Sequence, residues 1–285
     1  MKGYKAFDKG LICRDKQYAE NTVFEEESAE ICKIGMHFCK NPLDTLDYYP
    51  LIDNKGNITE FAEVEALDDA KTNDNKKFCT KKLKIGAKLN LSQFIKASVD
   101  VTYQNIKSEV KSEVDKKSLK ATAGGNNAKL AGGENAKLAG GDNAKLAGGD
   151  YAKLAGGYNA KLAGGDNAKL AGGYNAKLAG GENAKLAGGD NATLAGGENA
   201  KLAGGYNAKL AGGYNAKLAG GENSIIVGDN RSIAKGKKGA VIVLIERDNN
   251  RNIIDFKAVQ VDGEKIKEDV LYKLKNGEFV EVGVK

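Results

Sequence analysis

The chain has no tryptophan, two prolines, two methionines, one histidine (His37) and four arginines (Arg14, Arg231, Arg247, Arg251) in 285 residues. Each scarcity excludes something. Arginine is the residue best shaped for bidentate recognition of phosphate. A net charge of +6 carried almost wholly by lysine therefore argues against a dedicated nucleic-acid binder, whose charge also gathers in a patch. No run of 18 apolar residues occurs, so no membrane-spanning helix is expected. The opening MKGYKAFDKGL lacks the apolar stretch of a secretory signal. Cys13, Cys32, Cys39 and Cys79 all fall in the first 80 residues and are expected as reduced thiols of a cytoplasmic protein.

Glycine, by contrast, is abundant: 37 residues, most of them between Asn126 and Gly221, where x-N-A-K-L-A-G-G is written twelve times. Two glycines per octad, each costing about 1 kcal/mol in a helix, exclude that state. A disordered linker explains neither the leucine in every octad nor the strict period. A β-solenoid explains both. Side chains alternate along a strand, so a lysine facing water sends the alanine before it (Ala128, Ala136 and onward) and the leucine after it (Leu130, Leu138 and onward) inward. The glycines are expected to allow positive φ at the corners and the close approach of the sheets. The asparagine position, filled everywhere except at Tyr151, suits a left-handed turn residue and a hydrogen-bonded ladder.

Two octads per coil are expected, a flattened 16-residue rung repeated about seven times. The variable first position then sorts into two edges. One edge reads Glu134, Asp150, Asp166, Glu182, Glu198 and Tyr214; the other carries Tyr158, Tyr174 and Tyr206 among Asn126, Asp142, Asp190 and Glu222. The tyrosine edge is the candidate assembly surface, pairing two copies in a symmetric dimer. Lysine columns about 4.8 Å apart are expected to face water as a solubilising coat, their repulsion relieved by the acidic corners.

Four segments follow from composition: an α+β domain over 1–90, a capping helix or linker over 91–120, the solenoid over 121–239 and a small β domain over 240–285. Strands are expected at Gly3–Phe7, Met36–Cys39 and Phe61–Ala66. Asn41 as cap, Pro42 at the first helical position and Pro50 as terminator predict a short helix burying Leu43 and Leu46. Ser92 is expected to cap a helix running to about 117, with Ile95, Val99, Tyr103, Ile106, Val110 and Val114 on one face, closing one end of the solenoid. Beyond Ala240, two strands around a polar turn and a hairpin at Asn276-Gly277 are expected to close the other.

Octads built on A-G-x-x with a tyrosine-rich edge, followed by GENSIIVGDNRSIAKGK, resemble the repeats of bacterial ice-nucleation proteins. That resemblance implies the solenoid fold. It does not bring ice activity, because lysine and alanine stand where that family presents Thr-x-Thr rows. YKAFDKGLICR, CKIGMHFCKNPLDTLDYYP and FAEVEAL, with VLIERDNNRNIIDFKAVQVDGEKIKEDVLYKLKNGEFVEV, resemble the two ends of an uncharacterised phage and prophage family. This implies a phage or prophage origin and no known activity.

Two constellations bear chemistry. Cys32, His37 and Cys39 lie within eight residues, and His37 and Cys39 share a strand face, as zinc ligands do; no C-x2-C knuckle accompanies them. The order G-M-H-F-C, short helix, FAEVEAL resembles the core of the ADP-ribosyltransferase fold. It implies that Tyr48 or Tyr49 stacks on a nicotinamide and that Glu63 or Glu65 is the acid, although no His-Gly motif stands near Tyr4. The sequence as a whole points to a non-enzymatic structural or binding protein without a cofactor. Its solenoid is then a rigid spacer or self-assembly surface, its partner a second copy of the chain or another protein, and nucleic acid is not expected. The alternative is an N-terminal nucleotide-binding module.

Overall fold

The computed structural model describes residues 1–53, 57–110 and 121–283, with the backbone alone for Ser92, 103–110 and Ala121. The chain is mainly β, with a solenoid of about eight turns. Each turn takes two octads. Strands pair in parallel with the strand 16 residues on, Lys137 with Lys153, Leu138 with Leu154, Ala139 with Ala155, and so forth along two sheets. The alanine before each lysine and the leucine after it fill a continuous core, Ala136 to Leu218, almost wholly buried.

The corners divide their labour differently from expectation. Positive φ falls on the asparagines, from Asn127 (φ 61°) to Asn223 (φ 54°), and on none of the glycines of the twelve octads. The turn Gly-x-Asn-Ala closes on itself, as where the Ala200 N–H donates to the Gly197 carbonyl at 3.4 Å. Its third residue takes the left-handed conformation, which a type II turn reserves for glycine or asparagine. The glycines supply room instead: a Cβ on Gly197 would sit 2.9 Å from the Gly181 carbonyl carbon of the rung below. A ladder between asparagine side chains runs at 3.2 Å from Asn159 to Asn143 and at 2.7 Å from Asn207 to Asn191. The acidic corners act locally as well. Asp142, Asp150, Asp166 and Asp190 each accept the backbone N–H of the residue 16 on, at 2.7–2.9 Å, so they stitch rungs together.

The N-terminal domain is a seven-stranded antiparallel sheet including Lys2–Phe7, Met36–Cys39 and Glu60–Ala66. One sheet face makes the domain's own core, with Phe7, Met36, Phe38, Val64, Phe78 and Ile85 buried. The predicted short helix is a 3-10 helix, Pro42–Asp47, capped by Asn41, whose side chain accepts the Leu43 N–H at 2.9 Å. The long helix spans Leu91–Val110. Its cap is Asn90 and not Ser92: Asn90 Oδ1 accepts the Gln93 N–H at 2.8 Å and Gln93 Oε1 accepts the Asn90 N–H at 2.9 Å, a reciprocal capping box. Ile95 is buried and Val99 packs against the same cluster. The side chains of Tyr103, Ile106 and Val110, and Val114 with the predicted last turn, lie outside the described residues.

This helix does not close an end of the solenoid. It lies along one flank, against the strands that begin at Ala121, Lys137, Lys153, Lys169 and Lys185. The N-terminal domain follows it there. Leu43, Leu46, Leu51, Ile52, Phe61, Leu89 and Phe94 form one core with Ala155, Ala171, Ala187, Ala203 and Ala219, the outward alanines of that face. Phe61 stacks on Phe94 at 4.0 Å between centroids.

The far end closes as expected. Val241–Arg247 pairs in parallel with Ile225–Gly228 as the last strand of its face, then turns back antiparallel to Ile253–Gln260. Residue 241 is therefore solenoid before it is cap. Tyr272–Lys275 and Glu278–Glu281 form the hairpin, with Asn276 (φ 51°) and Gly277 (φ 73°) at its tip, the signature of a type I′ turn.

Candidate functional site

Two features stand out, a cavity in the N-terminal domain and the lysine faces of the solenoid. The cavity, of about 660 Å³, is bordered by the strand of Lys5, the hairpin of Cys13 and Arg14, the loop of Cys32 to Gly35, and Tyr48, Tyr49 and Lys77. Tight turns shape its rim: Arg14, Asp15 and Cys32 hold φ of 47°, 29° and 66°. Gly35 (φ 97°) is obligatory, because a Cβ there would also meet Cys79 Sγ at 2.8 Å.

Lys5 is 5 % exposed and has no carboxylate partner among the described residues. Its ammonium donates to the His37 carbonyl at 3.0 Å and to Cys13 Sγ at 3.3 Å, and sits 5.4 Å from the ring centroids of Phe7 and Tyr18. Burial holds its pKa below the usual lysine value. Tyr49 donates its hydroxyl to the same Cys13 sulfur at 3.0 Å. Lys77 donates to Cys32 Sγ at 3.1 Å and covers the Tyr48 ring at 4.4 Å. His37 is held neutral: burial first, then the charges of Lys5, Lys77 and Arg14, bring its pKa down to about 4. Burial, with Asp44, Asp47 and Asp74, pushes the Cys39 thiol up to about 12. Burial likewise pushes the Tyr48 phenol up to about 12.

The residues singled out from sequence separate in space. Tyr48, Tyr49, Cys32, His37 and Cys39 all line the cavity. Glu63 and Glu65 are not among its lining residues; they lie on Glu60–Ala66, where Glu63 stands opposite Tyr4, itself a lining residue, and Glu65 opposite Lys2. Cys32, His37 and Cys39 are near one another without forming a metal centre. His37 Nε2 accepts the Cys32 backbone N–H at 3.0 Å, which uses the lone pair a metal needs. Among the described residues no group of three or more His, Cys, Asp or Glu is placed to hold an ion. The acids that do line the cavity are engaged, Glu26 by Lys16 and Asp47 by Lys169. The cavity is thus basic and tyrosine-rich, suited to an anionic planar ligand and without a free carboxylate for acid–base work.

Tyr158 and Tyr174 stack along one edge, 5.5 Å between centroids and 5° apart in plane. They and Tyr206 are about half exposed. The lysine columns, expected to be equivalent, are not. On the covered flank Lys153 pairs with Asp44 and Lys169 with Asp47, while Lys185 donates to the Leu46 carbonyl at 2.6 Å. All three meet the single 3-10 helix Pro42–Asp47. On the other flank Lys129, Lys145, Lys161, Lys177 and Lys209, with Thr193 among them, are exposed, and so are the alanines two residues on from each.

Sequence reasoning missed Lys5, Arg14 and Lys77, which come from three separate segments and carry no local signal. It also missed Asp44 and Asp47 as partners of the lysines, although LDTLD repeats an apolar–acidic pair three residues apart.

The model of a family described as a domain of unknown function (DUF7666) matches residues 1–97. That stretch takes in the sheet, the 3-10 helix and the start of the long helix through Phe94 and Ile95. No curated protein and no solved structure matches the chain. Among the described residues no helix is long and apolar enough to cross a membrane. The match ends before the β-solenoid, so the likeness to that family concerns the N-terminal sheet and the start of the long helix alone.

Proposed function

We propose that the protein is a non-enzymatic binding scaffold in which the solenoid is a platform that fixes the N-terminal domain along one flank and leaves the other flank and the tyrosine edge for association. The observation that carries this is the three-rung lock of Lys153, Lys169 and Lys185 on residues 42–47. It favours a platform over a spacer, since the N-terminal domain lies beside the rungs and gains no distance from their number. Self-association through Tyr158, Tyr174 and Tyr206 belongs to this reading. So does residence in the cytoplasm, on the ground of four free thiols. A phage or prophage origin rests on the likeness of the quoted sequence runs alone, as does kinship of the repeats with ice-nucleation proteins. Light scattering on the full chain tests assembly. A dimer that becomes a monomer in Tyr158→Ser/Tyr174→Ser/Tyr206→Ser supports it, and a monomer at all concentrations removes it.

A second reading is favoured by the cavity: a nucleotide-type ligand, its anionic part beside Lys5, Arg14 and Lys77 and its ring on Tyr48 or Tyr49. Saturable binding of NAD in calorimetry, weakened by Tyr48→Ala or Tyr49→Ala, is the expected result. No heat at millimolar NAD rejects that ligand.

A further inference from the structure

We propose that the bare flank of the solenoid is a docking site for a helical segment of a partner protein that carries carboxylates three residues apart beside leucines. The molecule itself shows how such a face is read. Both flanks are made of the same octads, and on the covered one three successive rungs each take one oxygen of the same short helix: the Asp44 carboxylate on Lys153, the Asp47 carboxylate on Lys169, then the backbone carbonyl of Leu46 on Lys185. The spacing explains the fit. Three residues of a 3-10 helix advance about 6 Å, and of an α-helix about 4.5 Å, against about 4.8 Å between rungs. Leu43 and Leu46, one residue before each aspartate, reach the alanine row that includes Ala155, Ala171 and Ala187.

The bare flank repeats every element of that surface. Lys129, Lys145, Lys161 and Lys177 run without interruption beside Ala131, Ala147, Ala163 and Ala179, and together they line a shallow groove of about 590 Å³. A second copy does not fit as occupant. Its own 42–47 segment is already engaged, and its bare flank would set lysine against lysine. A polyphosphate backbone would satisfy the lysines and leave the alanine row uncovered. The occupant that fits both rows is an acidic, leucine-bearing helix.

The probe is a fluorescein-labelled peptide of residues 40–50, KNPLDTLDYYP, titrated into the full chain and followed by anisotropy. Saturable binding is expected. It should weaken about tenfold or more, about 1.4 kcal/mol or more, in Lys145→Glu/Lys161→Glu, whose side chains are exposed and outside the core. It should vanish for the peptide with both aspartates replaced by asparagine. Three results would overturn the proposal: no saturation at millimolar peptide, equal binding of the neutral peptide, or tighter binding of a short DNA duplex or of polyphosphate. The proposal rests on the scaffold reading, which solution mass tests by itself, so either can fail alone.

Discussion

The two flanks of the solenoid are built from one octapeptide, and yet they have different chemistry. On the covered flank Lys169 is 7 % exposed and the alanines two residues on from the lysines are 0–2 % exposed; on the bare flank both rows face water. Burial lowers the pKa of Lys185 to about 8, with Lys169 and Lys201 adding repulsion and Asp47 opposing it. The pKa of Asp47 is lowered too, for the opposite reason. Burial raises it, but the hydrogen bond and charge of Lys169 outweigh that and leave its carboxyl below the ordinary value. A repeat therefore specifies a surface, and the partner laid on that surface decides what its charges do. A lysine coat and a lysine lock are the same residues in two environments.

The largest way to break the comparison is to fill the alanine row. Ala187→Arg on the covered flank inserts a long charged side chain into the joint core. It should cost about 3 kcal/mol or more, read as a lower urea midpoint. Ala179→Arg, on the bare flank, should stay within about 0.5 kcal/mol. Equal effects would mean that the N-terminal domain does not rest on these rungs.

Removing the acids of the lock comes next. Asp44→Ala/Asp47→Ala strands Lys153 and Lys169. Breaking a buried pair costs about 3–5 kcal/mol. With the Asp47 side chain 35 % exposed, solvent screening reduces the expectation to about 2 kcal/mol. Lys161→Ala on the bare flank should change stability by less than about 0.5 kcal/mol. Limited proteolysis of the full chain gives a second readout, faster in the double variant if docking is lost.

Titration sharpens the contrast from both ends of the pH scale. The folded-state pKa of Lys185 lies below its unfolded value, so between about 8 and 10.5 the unfolded chain binds more protons and stability rises with pH. Lys185→Met should flatten that rise, read from urea midpoints across that pH range. In the cavity, His37 has a folded pKa of about 4 against 6.5. It contributes stability that is complete above 6.5 and is lost as pH falls toward 4, and His37→Gln should remove that part of the acid slope.

The smallest effect is at Tyr151. It holds φ 57° at the position that eleven other octads give to asparagine. Because asparagine tolerates the left-handed region, Tyr151→Asn should stabilise by about 0.5–1 kcal/mol, seen as a higher midpoint in thermal unfolding.

Much of the rung was legible. Leucine and alanine inward, lysine outward and two octads per coil follow from alternation and period, which act over a few residues. The role of asparagine was legible in part, since its tolerance of positive φ is intrinsic. Glycine's close approach was legible too, but that the backbone it clears belongs to the rung below was not, because this depends on a neighbour 16 residues away. In the N-terminal domain the cap at Asn41 and the buried Leu43 and Leu46 follow from local pattern. The cap of the long helix was misplaced by two residues, since Asn90 and Gln93 cap each other as a pair. Tyr48 and Tyr49, singled out for one chemistry, and Cys32, His37 and Cys39, singled out for another, line one cavity, a meeting that nothing in the local pattern announced.

The sequence by itself determined that there is a solenoid, what its rung contains and which side chains point outward, because each of these is fixed by residues within one octad of each other. Which lysine column is bare and which is locked was decided only by the tertiary structure. Identical octads carry no mark of their flank, and the difference comes from Asp44 and Asp47, more than a hundred residues away in the chain, laid across three rungs by the packing of Leu43, Leu46 and Phe61 on the alanine row.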